Sequence, residues 1–230
     1  MRIITWNCCG RFRPKAHHMA DLLPDVLAVQ EVESFKAPSE FSGPPPRYAH
    51  REVARHIPKS IGMFSYTDCP ISFVKILPGV RFYNAQVGGM EIRAMSAWTS
   101  PTSVPGRQNY RQLHDALDAH ANWVRDHPAM ILGDFNMNAS YKGDGMRTLL
   151  ERLIPLGFVS AYHQYFNEEF GHETRPTHYH LGHQQKTFHL DYCFLSRELV
   201  ERLRHVTVGT YEDWKGISDH VPLIVDLDIA

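Results

Sequence analysis

The sequence predicts an α/β protein in which two β-sheets pack together and helices cover their outer faces. Three observations predict it. Short apolar runs broken by Gly, Pro and Asp recur along all 230 residues, the rhythm of strands. A few longer stretches repeat apolar residues at three- and four-residue steps, the mark of amphipathic helices. The strands outnumber the helices and come in groups, which does not fit a regular βαβ alternation and does fit two sheets with helices outside.

The clearest predicted strands cover residues 2–6, 26–29, 71–76, 80–85, 91–97, 129–132, 188–195 and 221–227. The best helix spans 106–127, with Tyr110, Leu113, Leu117, Ala121 and Val124 along one face. A second covers 145–154 through Met146, Leu149, Leu150 and Leu153, and a third covers 197–203, opened by Ser196 as an N-cap. A weaker helix is expected over 14–23. The Ser-Gly-Pro-Pro-Pro stretch at 42–46 reads as a stiff loop, because neither flank could build a core alone. Residues 1–230 are therefore expected to form one domain, large enough for a core without disulfide or metal staples.

Apolar residues make up 43% and charged residues 21%, which excludes a disordered or fibrous chain. Lys and Arg total 24 against 25 for Asp and Glu, so a polybasic protein is excluded and any nucleic-acid contact must use a local patch. The one compact basic cluster is Arg11, Arg13 and Lys15, which would clamp a phosphate backbone or serve as an ordinary solvated loop. Cys8 and Cys9 are neighbours and cannot easily bridge. Cys69 and Cys193 lie in apolar runs and read as buried small hydrophobes. No signal-type region and no membrane-length apolar run is seen, so a reducing cytoplasm is expected, with no membrane and no obligate protein partner.

Chemistry is suggested by polar residues at the ends of apolar strands. Asn7 follows Ile3-Ile4-Thr5-Trp6, Glu31 follows Leu27-Ala28-Val29-Gln30, and Asp134 and Asn136 follow Met130-Ile131-Leu132-Gly133. Asp191 lies within Phe188–Tyr192, and Asp219-His220 precedes Val221-Pro222-Leu223-Ile224. A carboxylate at the mouth of a buried strand is costly unless it is hydrogen-bonded or binds a cation. One such residue reads as a cap or turn; five read as convergence on one pocket. Their hard oxygen donors suit Mg²⁺ or Mn²⁺ rather than Zn²⁺. A divalent ion beside a His–Asp pair is equipment for phosphoryl chemistry. Gly133 is expected to let the chain turn after its strand, with Asp134 and Asn136 projecting to one side and Asp191 and Tyr192 to opposite faces.

Thr5-Trp6-Asn7, Gln30-Glu31-Val32, Gly133-Asp134-Phe135-Asn136, His189-Leu190-Asp191-Tyr192 and Ser218-Asp219-His220 stand in one order along the chain. In that order the chain resembles the endonuclease/exonuclease/phosphatase superfamily, the deoxyribonuclease I and exonuclease III-like group, from residue 5 to residue 220. The resemblance implies a four-layered α/β sandwich of two mixed β-sheets. It implies Glu31 as main metal ligand, Asn7 positioning the metal or a phosphate oxygen, and Asp219 completing that site or a second one. It further implies Asp134 orienting or deprotonating water, Asn136 holding the phosphate, and His220 contacting it as a cation held by Asp191.

One position departs from the pattern. Many relatives place a His or Tyr after the strand at 91–97, where this chain has Trp98, whose indole can donate one hydrogen bond or stack but cannot act as an acid. Tyr110-Arg111, in Asn109-Tyr110-Arg111-Gln112, resembles the Tyr-Arg stretch opening the equivalent helix in exonuclease III-like relatives, which makes Tyr110 a candidate substitute; its plainer reading is a core aromatic. Six of the 15 histidines fall between residues 163 and 189. His178 and His180 would share a strand face, with His183 folding back. That arrangement reads as a polar pocket rim or a Zn²⁺ or Ni²⁺ site. Pro176-Thr177-His178-Tyr179 resembles the segment that lines the substrate cleft in relatives, which implies that His178 or His180 binds a phosphate or stacks on a base.

The expected activity is that of a metal-dependent phosphodiester hydrolase acting on DNA or RNA. Arg11, Trp98, Tyr110, His178 and His180 are the candidate substrate contacts. Two alternatives stand beside it: a phosphatase or phosphodiesterase for a small phosphorylated molecule, favoured by the balanced charge, and an inactive binding module, favoured by Trp98.

Overall fold

The computed structural model describes residues 1–51, 58–99, 111–140 and 144–229. In chain order its strands are β1 Arg2–Asn7, β2 Val26–Glu33, β3 Tyr48–Arg51, β4 Lys59–Ser65, β5 Ile71–Leu77, β6 Val80–Val87 and β7 Met90–Trp98. They continue as β8 Ala129–Asp134, β9 Phe158–Ser160, β10 His178–Tyr179, β11 Thr187–Phe188, β12 Asp191–Ser196, β13 Leu203–Val208 and β14 Leu223–Leu227. One six-stranded sheet has the order β13-β14-β1-β2-β4-β3 and the other β5-β6-β7-β8-β12-β9, with β10 and β11 as a separate ribbon. Both sheets are mixed: β1 with β2 and β7 with β8 are parallel, and their other pairings are antiparallel.

Strand alternation sorts side chains into layers. Ile3, Ala28, Met63, Leu223 and Val225 of the first sheet share one buried cluster with Tyr83, Ala94, Met130, Leu132 and Cys193 of the second. On the far side of the second sheet, Phe82, Met95, Ile131 and Phe194 pack with Leu113, Ala116 and Leu117 of helix Arg111–Arg125 and with Met146, Leu149 and Leu153 of helix Gly145–Leu153. Ile4, Trp6, Leu27 and Val29 face outward from the first sheet. Among the described residues that face carries only single-turn helices, and aromatic residues close it: Phe12, Phe41 and Trp214 around Trp6 and Phe64. The four-layered sandwich expected of the chain is the fold it has.

Several elements differ from the sequence reading. The stretch at 188–195 splits, because Leu190 breaks the ladder and Asp191 restarts it on β8. The helix predicted over 197–203 is one turn, Arg197–Val200, and Leu203 already belongs to β13. Ser196 makes no cap hydrogen bond there; its Oγ accepts from the Ala129 amide, 3.1 Å away. Residues 14–23 form a 3₁₀ turn and a single helical turn, Arg13–Lys15 and His17–Ala20. Residues 106–110 of the long helix, Tyr110 among them, lie outside the described residues, as do 52–57 and 141–143.

Gly133 does not serve a turn. It lies inside β8 with φ of 136°, and a Cβ there would sit 1.9 Å from the Ala97 carbonyl oxygen of β7. It permits close approach of two parallel strands.

The histidine-rich stretch also separates by environment. His163 donates to or accepts from Ser160 Oγ at 2.8 Å and meets the Glu173 carboxylate at 3.2 Å. His189 is buried against Tyr162 with its Nδ1 2.9 Å from the Arg175 carbonyl. These two are structural. Glu173, with a side chain only 3% exposed, also accepts from the Gly171 amide at 3.0 Å and Asn138 Nδ2 at 3.2 Å. Burial pushes its carboxyl up, but the His163 hydrogen bond and the Gly171 amide outweigh it and hold it at about 2. A carboxyl lowered on folding adds stability above its ordinary value of 4.5 and loses it as pH falls toward 2. Glu173→Gln is expected to lose about 1–3 kcal/mol at neutral pH and to flatten the acid limb of stability. Urea unfolding between pH 7 and pH 2 measures this; parallel curves for the two proteins would contradict it.

Candidate active site

The site residues gather because their strand ends do. β1 and β2 run parallel and their pairing ends with Asn7 opposite Gln30, just before Glu31. β8 and β12 run antiparallel, so the end of β8 meets the start of β12, with Asp134 opposite Asp191. β14 starts where β1 ends, since Thr5 pairs with Leu223. Residues 218–220 therefore enter at the same edge, and Asn7, Glu31, Asp134, Asn136, Asp191, Asp219 and His220 collect at one end of both sheets.

Glu31 reaches this edge through a bulge. The β2–β4 register shifts between Val29 and Val32, which both stay in the outer core although three residues apart. The extra residue throws Glu31 out with φ of 62°, a left-handed conformation costing about 1–3 kcal/mol for a side chain of this kind. Asn136 is likewise left-handed, at φ of 49°, which Asn tolerates well. This turn, rather than strand alternation, brings Asn136 beside Asp134.

Asp134 is the hub. Its Oδ2 accepts from Asn7 Nδ2 at 2.9 Å and Asn136 Nδ2 at 3.0 Å, and its Oδ1 accepts from the Asn136 amide at 2.9 Å. Asn136 Nδ2 also donates to the Thr99 carbonyl at 2.8 Å, so both Asn side chains are fixed. Asn7 Nδ2 continues to Glu31 Oε1 at 3.2 Å, and Asn7 Oδ1 accepts from the Cys9 amide at 2.9 Å. Burial raises the Asp134 carboxyl to about 6; the His220 charge opposes that shift and the Asp191 charge adds to it.

His220 stands between two carboxylates. Its Nδ1 donates to Asp191 Oδ2 at 2.8 Å, and its Nε2 faces Asp134 Oδ2 at 4.0 Å. Burial pushes the imidazole down, but the Asp191 and Asp134 carboxylates prevail and push it up to about 9, so it is a cation at neutral pH. Asp191 is fully buried, and its amide and that of Leu190 both donate to Thr177 Oγ1 at 3.0 Å. Ser218 Oγ donates to the Asn7 carbonyl at 2.8 Å and accepts from the His220 amide at 3.1 Å, tying the His220 loop to β1.

His178 enters the same space. Residues 177–179 are stitched to the loop before β14, the Tyr179 amide donating to the Asp219 carbonyl and the Val221 amide to the Thr177 carbonyl. The His178 ring lies 4.4 Å from that of His220, and its Nε2 is 3.7 Å from Asp219 Oδ2. Burial pushes the Asp219 carboxyl up, yet the adjacent His178 ring and the His220 charge hold it at about 2. His180 keeps its ring 5.8 Å from that of His178 but is not part of the cluster with Asp219 and His220. It opens a 3₁₀ turn and is exposed, as is His183. The expected grouping of His178 with His180 and His183 is thus replaced by His178, Asp219 and His220, whose ligand atoms lie within 4.8 Å of one another.

Trp98 pairs in parallel register with Asp134 and is partly exposed beside it. Two members of the basic cluster are engaged within the chain. Arg13 pairs with Glu33 and Glu40, and Lys15 Nζ donates to the Cys8 and Gly10 carbonyls. Arg11 is exposed after β1, with φ of 54°. Tyr110 lies outside the described residues. Two contributors escaped the sequence reading. Thr177 lay in a Pro-Thr-His-Tyr segment already linked to the cleft. Lys59, whose Nζ is 2.6 Å from Glu31 Oε2, carried no signal at all.

The residues present fit a hard divalent cation. Glu31 offers a carboxylate that already holds a cationic ammonium, and the neighbouring donors are oxygens of Asn and Asp. A buried carboxylate facing a carboxylate-held imidazolium, beside such a site, defines a class: hydrolases of phosphate esters. The chain belongs to the Endonuclease/Exonuclease/phosphatase family, whose pattern matches residues 4–220, and enzymes of this family generally depend on a divalent metal.

Solved structures agree in fold. An AP endonuclease from Archaeoglobus fulgidus superposes with a TM-score of 0.72 at 17% identity, covering 99% of both chains. The APE2 catalytic domain of Xenopus laevis gives 0.75 at 15% identity over 100% of this chain and 92% of that one. A Neisseria 3′ phosphatase bound to a product DNA hairpin gives 0.68 at 19% identity over 99% of both. No curated protein matches the chain significantly by sequence. No helix among the described residues is long and apolar enough to cross a membrane, and Cys8, Cys9, Cys69 and Cys193 are all free thiols.

Proposed function

We propose that this chain is a Mg²⁺- or Mn²⁺-dependent nuclease that hydrolyses phosphodiester bonds of nucleic acid, with residues 1–230 forming one catalytic domain. The observation that carries this reading is the Asp134–His220–Asp191 alignment at the shared strand edge. Asp191 accepts the Nδ1 proton of His220, which leaves Nε2–H pointed at the space beside Asp134 Oδ2, where a phosphate oxygen would lie. Asp134, oriented by three hydrogen bonds, takes the proton of the attacking water. Asn136 and Asn7 steady that carboxylate and approach the phosphate, and Trp98 borders it with a ring face or a single N–H. Glu31, with Asn7 and Asp219, would hold the metal, which would neutralise phosphate charge and supply a polarised oxygen. The single domain is supported by the core both sheets share and by the site both sheets supply. Unbridged cysteines support a reducing, cytoplasmic setting.

DNA is the favoured polymer because structural neighbours include an AP endonuclease and a 3′ phosphatase bound to a DNA product. A second reading, a small phosphate ester as substrate, draws on the net charge of −1, on the neutralisation of Arg13 by Glu33 and Glu40, and on the Lys15 ammonium being turned to backbone carbonyls. Oligonucleotides (single-stranded, duplex, abasic and 5′-blocked) set against sugar and inositol phosphates, with Mg²⁺ or Mn²⁺, separate the two. Oligonucleotide cleavage that EDTA abolishes and rising salt suppresses is the expected result. Salt-insensitive turnover of the small esters alone would replace the nuclease reading with the second one.

A further inference from the structure

Lys59 opens β4 and pairs across the strands with Glu33, yet its ammonium reaches the displaced Glu31 and lies 2.6 Å from Oε2. The other carboxylate oxygen accepts from Asn7. The lysine side chain is 43% exposed and the Glu31 side chain 19%, so the stem is free to swing while the carboxylate stays anchored. The stem runs beside the loop after β1: a Cβ at Gly10 would stand 3.0 Å from Lys59 Cε. Lys59 thus lies beside the loop at the mouth of the site. Among the basic residues near it, Arg13 is held by two carboxylates and Lys15 by two carbonyls.

We propose that Lys59 is a substrate-binding residue that exchanges partners: it neutralises Glu31 while the metal is absent and turns to the phosphate of the substrate when the metal binds. The inference rests on Glu31 being the metal carboxylate. A divalent cation takes the lone pairs that now face the ammonium, and two cations on one carboxylate repel each other. The released ammonium stays at the rim through which a phosphate anion enters, and it binds that anion as a mobile point charge. Lysine thus weakens metal binding to the free protein and strengthens substrate binding to the loaded one. A purely structural lysine would support both.

Calorimetric titration of Mn²⁺ into the native chain, Lys59→Gln and Glu31→Gln, with bis-p-nitrophenyl phosphate kinetics at saturating Mn²⁺, tests this. Lys59→Gln is expected to bind Mn²⁺ about two- to fivefold more tightly, the effect of removing one partly screened competing charge. Its KM is expected to rise about three- to tenfold with kcat nearly unchanged, as lost uniform binding requires. Lys59→Arg should restore part of the KM. Unchanged or weaker Mn²⁺ binding in Lys59→Gln, or an unchanged KM, overturns the exchange. Glu31→Gln should lose Mn²⁺ binding. If it binds Mn²⁺ as the native chain does, the site assignment itself fails; if it loses binding while Lys59→Gln behaves as native, only the role of Lys59 fails.

Discussion

Asp134→Asn is expected to lower kcat by about 10²–10⁴-fold, the range a positioned general base contributes. The variant keeps the size of the side chain and removes its proton acceptor. It also disturbs the hydrogen bonds, since Oδ1 and Oδ2 together receive three donors and an amide offers one oxygen. A donor left unpaired in this buried position costs about 1–3 kcal/mol of stability. Thermal unfolding therefore accompanies the kinetics, and the comparison is made at a temperature where both proteins are folded. A folded variant that retains kcat within a small factor of the native value removes Asp134 from the proton-transfer role. Loss confined to KM would make it a substrate contact instead.

Gly133→Ala is expected to be strongly destabilising. The added Cβ would lie 1.9 Å from the Ala97 carbonyl oxygen and 2.9 Å from the Ala97 nitrogen, both backbone atoms of the neighbouring parallel strand. Neither can move without prying β7 from β8 at the pair next to Trp98 and Asp134. The φ of 136° adds strain for any L side chain. Together these put the cost at about 3–5 kcal/mol, a large part of the stability of an ordinary domain. The midpoint of urea unfolding measures it, and a shift under about 1 kcal/mol would mean that the strands separate more easily than their packing indicates. Activity should fall with stability, because Asp134 follows directly on Gly133.

Much of the proposed site was legible because its residues lie at strand ends. An apolar run that stops at a carboxylate is visible in one dimension, so Asn7, Glu31, Asp134, Asp191 and His220 could be named from their flanks. The same signal misjudged local geometry. Gly133 read as a turn because Gly often marks one, whereas its real constraint comes from Ala97, 36 positions away in the chain. His178 and His180 read as sharing a strand face, but the strand ends at Tyr179 and only His178 enters the site. The basic cluster looked free because Glu33 and Glu40, which neutralise Arg13, are distant in sequence.

The sequence by itself determined the fold class, the two-sheet arrangement and the chemistry of the strand-end residues. Those follow from local periodicity and from residue types whose burial demands a partner. Tertiary structure alone decided which partners they meet. The bulge that displaces Glu31, the hold of Lys59 on it, the support of Asp191 by Thr177 and the approach of His178 to His220 all join segments paired across strands or stitched by loops. Such contacts depend on register and on backbone conformations that no local pattern encodes, so they become visible only when the sheets are assembled.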